Sequence, residues 1–130
     1  MIDSIQYFMF PNFGPWLGEG LPLVYQFTPY KSDPDACVMS IRLTAPWPDS
    51  GLPPRAAEVI DLGFDEDFGA IPALGMLAAV FDQDMANLPH IQAGLKAAGE
   101  AVPHITLGVY QERRIQHFHE VISKVLGLAD

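Results

Sequence analysis

Apolar and polar residues alternate in the first third of the chain and recur at helical spacing in much of the rest. Cys37-Val-Met-Ser-Ile-Arg-Leu-Thr44 alternates best, with Cys37, Met39, Ile41 and Leu43 on one side and Ser40, Arg42 and Thr44 on the other. That is the period of a strand with one buried face. Leu23-Val-Tyr-Gln-Phe-Thr28 places Leu23, Tyr25 and Phe27 together, and Ile5-Gln-Tyr-Phe-Met-Phe10 is an aromatic-rich run ended by the turn signal Pro11-Asn12. Lys31-Ser-Asp-Pro-Asp35 separates the second and third runs and predicts an antiparallel hairpin with a five-residue loop. The meander has one apolar face, which something must cover.

Proline then sets where helices can form. Nine of the twelve lie between Pro11 and Pro54, so strands and turns belong early and helices late. From Trp47 to Gly69 the chain reads as a solvated loop, closing on the acidic run Asp65-Glu-Asp67 that suits a helix start. A helix is expected from Pro72 to a stop at Gly99, kinked or split by Pro89 near Asn87-Leu88. His104-Ile-Thr-Leu-Gly-Val109 reads as a fourth strand. Gln111 to Leu126 reads as an amphipathic helix burying Ile115, Phe118, Ile122 and Val125. The expectation is one α+β domain over residues 1–130, an antiparallel sheet packed on a kinked long helix and a C-terminal helix.

Composition narrows the function classes. At 49% hydrophobic and 18% charged the chain is globular in type. Its seven Lys and Arg against sixteen Asp and Glu, a net charge of −9, argue against nucleic acid and against docking on anionic membrane. The apolar stretch Ala70–Phe81 is too short to span a bilayer, and Met-Ile-Asp-Ser-Ile-Gln-Tyr-Phe lacks the basic lead of a secretory signal, so a cytoplasmic location is expected. The single cysteine, Cys37, excludes an intramolecular disulfide and any cysteine-ligated cluster, and its alternation with core positions reads as a small buried hydrophobe.

One acid interrupts an apolar stripe. Leu74, Leu77, Phe81, Asp84, Leu88, Ile91 and Leu95 follow spacings of 3, 4, 3, 4, 3 and 4. A carboxylate there either lies at the stripe edge bonding a loop or faces a pocket as a ligand. Asp82 is about 200° from Asp84 around a helix, so the two do not form an acid–base pair on one face. His90 is about 240° from Asp84, and His117 and His119 are about 200° apart, so no helical face gathers a metal site. His104 lies on the expected strand. No G-x-S-x-G, G-x-G-x-x-G, phosphate-loop or H-E-x-x-H pattern occurs.

Three segments, in order, resemble one family. Phe81-Asp-Gln-Asp-Met-Ala-Asn-Leu-Pro-His-Ile-Gln-Ala-Gly-Leu95 resembles the acid-acid helix of Rieske non-haem iron ring-hydroxylating oxygenase alpha subunits. Thr106-Leu-Gly-Val-Tyr-Gln-Glu112 with Ile115-Gln-His-Phe-His119 resembles the family's closing strand, Glu and Phe-His helix. Phe10-Pro-Asn12 and Tyr25-Gln-Phe-Thr-Pro29 resemble the strands walling its substrate pocket. The resemblance spans residues 5–126.

It implies a helix-grip (START-like) catalytic domain, with substrate-pocket positions at Phe8, Phe10, Tyr25, Phe27 and Phe81, and Asp84 at the carboxylate position of a two-His, one-carboxylate Fe(II) site. The parent activity is insertion of oxygen into an aromatic or similar apolar molecule. The family's two His ligands precede the Phe-Pro-Asn strand, where only Met1–Gln6 stand here, and its Rieske cluster needs two cysteines. The chain therefore resembles the C-terminal part of such a subunit, with no cofactor expected in it alone and no catalysis alone. A partner chain supplying the Rieske domain and His ligands, an apolar small-molecule ligand without redox chemistry, or self-association of open sheet edges into a homo-oligomer are the expected alternatives.

Overall fold

Four strands pair antiparallel in sequential order in the computed structural model, which describes residues 5–17, 23–102 and 104–128. The opening Met-Ile-Asp-Ser read above for a leader lies outside the described residues. The strands are β1 (Ile5–Gln6), β2 (Phe13–Leu17), β3 (Leu23–Tyr30) and β4 (Asp33–Leu43), and the helices are α1 (Leu77–Ala98) and α2 (Arg113–Leu126). The architecture is α+β. Two compact units divide the chain, Met1–Pro54 with Leu107–Asp130, and Arg55–Thr106.

In the first unit, the longest ladder joins β3 to β4, from Leu23 opposite Leu43 to Pro29 opposite Cys37. The hairpin does not use the expected five-residue loop. Tyr30 pairs with Asp33 across the two-residue turn Lys31-Ser32, where Lys31 takes a left-handed φ of 54°. The surplus residues form an irregularity between the Pro29–Cys37 and Tyr30–Asp33 pairs, where Asp33 Oδ1 accepts the Asp35 N–H at 2.9 Å. Proline at 34 favours this, because it has no N–H to give a ladder.

The aromatic run at the N-terminus is one arm of a tighter hairpin than its sequence predicts. Only Ile5–Gln6 is regular strand; Tyr7 N–H still donates to Pro15 O and Met9 bridges Phe13, so Phe10-Pro11-Asn12 is the turn. The second arm, β2, is Phe-Gly-Pro-Trp-Leu, whose Gly and Pro disguise a strand. Its position as a fourth strand replaces the expected one at His104–Val109. That segment is not a strand: Ile105 and Val109 are exposed, and Glu112 accepts the Gly108 N–H, turning the chain into α2. Alternation alone does not supply a pairing edge.

Cys37 is exposed, correcting its reading as a buried hydrophobe. It lies on β4, an edge strand of the sheet, opposite Pro29 at the turn end of the ladder. In α2, Phe118, Val121 and Ile122 are half-buried, whereas Ile115 and Val125 at the ends of the expected stripe are exposed. Gly127, in a left-handed conformation, closes α2 by donating to Lys124 O, and Leu128 N–H donates to Ser123 O.

The second unit is built around α1. Single turns of 3-10 helix at Phe68–Ala70 and Pro72–Leu74 precede it, and Gly75 at φ 53° separates them from the helix. The helix thus begins later than Pro72 and runs through Pro89 unbroken to Gly99, at φ 46°. Its buried anchors are Ala78 and Phe81, with Leu74 just ahead; Leu88, Ile91 and Leu95 are each about half exposed. The stripe is therefore a core face only in its first turns. The stretch from Ala45 to Asp67 is irregular, and Trp47, Leu52, Val59 and Phe64 on it are exposed. No helix is long and apolar enough to cross a membrane among the described residues.

Candidate functional site: an aromatic sheet face

Pairing puts four of the expected pocket residues on one side of the first unit's sheet or at its rim. Tyr25 and Phe27 are two apart on β3 and share a face. Gly14 opposite Tyr25 and Gln6 opposite Trp16 carry that face across β2 and β1, and alternation brings Phe8 onto it. Trp16 meets Tyr25 edge-on at 6.3 Å between ring centroids, and Tyr25 lies 6.5 Å from Phe27. Phe118 of α2 meets Phe8 edge-on at 5.0 Å and Phe10, in the adjoining turn, at 6.0 Å. Ring pairs at these separations are each worth about 0.5–1.5 kcal/mol beyond area burial.

The edges of this face are set by polar contacts. Asn12 clamps the first hairpin's turn to β3: its Nδ2 donates to Phe27 O at 2.6 Å and its carbonyl accepts the Phe27 N–H at 3.0 Å. Beside Phe27 an open groove of about 510 Å³ is bordered by Pro11, Asn12, Pro29 and Cys37. The one polar atom left over is Trp16 Nε1, buried with no acceptor among the described residues. A second groove, of about 380 Å³, lies along α2 between Leu107, Val109, Arg113 and His117, and is polar.

The expected residues of α1 stand in the other unit. Phe81 is 1% exposed and meets Phe68 at 5.4 Å, so within its own unit it is a core anchor. Asp84 is exposed, not at the centre of a buried stripe. The acid with visible work is Asp82, whose carboxylate accepts the N–H groups of Phe68 at 2.6 Å and Gly69 at 3.2 Å. It closes the entry turn of the unit onto α1. Charged acceptors make hydrogen bonds stronger than neutral ones, so this is a structural hook.

Fe(II) needs three converging ligands in a facial triad. Among the described residues no three His, Cys, Asp or Glu side chains gather as a metal site. Asp84 is a single carboxylate, and the described residues do not by themselves make the triad. His117 instead lies 3.8 Å from Glu120 on α2, whose other carboxylate oxygen accepts from Gln116.

Sequence reasoning missed Trp16 and Phe118 as companions of Phe8 and Tyr25. Trp16 hides in Gly-Pro-Trp, and helical spacing marks Phe118 only as helix core. The usable signal was the Pro11-Asn12 turn, which demands a second arm after it. Comparison with protein-family models, with curated proteins and with solved structures finds no match.

Proposed function

We propose that the chain is the C-terminal part of a helix-grip (START-like) catalytic domain of the ring-hydroxylating oxygenase alpha-subunit type, contributing an aromatic binding face but not a complete iron site. The observation that supports it is the convergence of Phe8, Phe10, Tyr25 and Phe27 with Trp16 and Phe118 in one unit. Flat aromatic edges and faces at 5–6.5 Å spacing are suited to a planar apolar ring. Asp84 takes the family's carboxylate position, the two His ligands and the Rieske cluster come from outside these residues, and the setting is the cytoplasm. Alone, the chain binds the apolar molecule without oxidising it.

Quenching of Trp16 fluorescence by naphthalene, in a Trp47→Phe background, tests the binding step. Saturable quenching is expected, weakened about tenfold, or 1.4 kcal/mol, by Tyr25→Ala. Quenching that never saturates would remove the ligand face and leave an assembly role as the better reading. Anaerobic loading with Fe(II) tests the other half: stoichiometric iron in the chain alone, lost in Asp84→Ala, would show a complete site here and refute the partner-dependent one.

A further inference from the structure

Among the described residues no strand pairs with the outer side of β4. Phe27 directs both its N–H and its C=O at Asn12 on the β2 side. Its partner Met39 is therefore in a non-hydrogen-bonded pair, with N–H and C=O turned away from β3. Alternation gives the same orientation to Cys37, Ile41 and Leu43, while Val38, Ser40 and Arg42 bond inward to β3. Pro29, which lacks an N–H, fits opposite Cys37 for the same reason. From Cys37 to Leu43 the edge has no proline, no lysine and no bulge, the usual devices that keep edges apart.

We infer that the occupant of this edge is β4 of a second copy, antiparallel, with the two-fold axis at Ser40. This register sets Cys37 opposite Leu43 and Met39 opposite Ile41 of the second copy, so the four outward-bonding residues are matched apolar to apolar. The apolar face that carries Tyr25 and Phe27 then continues into the second sheet. Charge favours the same register. A shift of the axis toward Cys37 lays Asp35 and Asp33 against Met39 and Ile41, which desolvates carboxylates beside apolar groups. With the axis at Ser40, the acids of the two copies fall at opposite ends of the ladder and no like charges face each other. The pairing is independent of the oxygenase reading.

Sedimentation equilibrium and cysteine cross-linking test it. The wild-type chain is expected at twice its monomer mass. Cys37→Ser combined with Ser40→Cys is expected to give a disulfide dimer under mild oxidation. Ser40 faces itself in a non-hydrogen-bonded pair with Cα atoms about 4.5 Å apart, inside the disulfide range. Wild-type Cys37, about three residues from the axis, is not expected to cross-link within the dimer. Met39→Pro removes an outward N–H while leaving the β3 ladder intact, and should give a folded monomer by mass and circular dichroism. A wild-type monomer at high concentration, a dimer that survives Met39→Pro, or a dimer in which cysteine at 40 fails to link would each overturn the proposal. A monomer would also point to a strand from a different chain as the occupant.

Discussion

The sheet unit and the α1 unit hold themselves together differently. In the sheet unit, order comes from pairing between distant residues: Leu23 with Leu43, Gly14 with Tyr25, Ile5 with Leu17. Its aromatic rings are partly exposed and meet each other at edges, and Leu23 is its one fully buried large side chain among the described residues. In the α1 unit, order comes from neighbours in sequence. Phe81, Ala78 and Leu74 are buried within one or two turns of each other, and Asp82 reaches back to Phe68. A surface made of exposed rings held by a backbone ladder can accept a ligand without losing its frame. A surface whose rings are its core cannot. The difference teaches which rings carry a unit's core and which lie on a frame held by backbone pairing.

That contrast can be broken most sharply at Phe81. Phe81→Ala removes a fully buried ring and should cost about 3–5 kcal/mol, read as a lowered urea midpoint with amide exchange rising most across residues 68–98. A cost below 1 kcal/mol would show that the ring is not the unit's anchor. Next comes Phe118→Ala in the sheet unit. Its ring is half-buried against Phe8 and Phe10, and about 2 kcal/mol is expected, with the Phe8 and Phe10 ring resonances shifting by NMR.

Smaller effects separate the two acids. Asp82→Ala should destabilise by about 1–2 kcal/mol because it orphans the Phe68 N–H, and Asp82→Asn should recover part of that through its remaining oxygen. Equal behaviour of the two variants in thermal melts would refute the hook. Asp84→Ala should change stability by less than about 0.5 kcal/mol, as for an exposed side chain. A large loss there would mean that Asp84 holds structure and is not kept free for a ligand.

The β3–β4 hairpin was legible in the sequence because alternating residues with one apolar face can pair in few registers. The two helices were legible from periodicity, with Gly99 as the stop of α1, although α1 starts five residues later than Pro72. The aromatic face was half legible: Tyr25 and Phe27 share a face by spacing alone, whereas Phe8 joins them only through the register of β1 with β2. The exposure of Asp84 was not legible, because a helical stripe tells which residues share a side, not how far along the helix that side is covered.

The sequence by itself determined the alternation that pairs β3 with β4, the helical periods of α1 and α2, and the stop at Gly99. Steric and hydrogen-bonding preferences of neighbouring residues suffice for that. Only the tertiary structure decided that Phe-Gly-Pro-Trp-Leu is a strand while His104–Val109 is not, that Cys37 lies exposed on an edge, and that Asp82 rather than Asp84 is engaged. Each of these depends on whether a distant partner lies within hydrogen-bonding or packing distance, and that distance is a property of the folded chain.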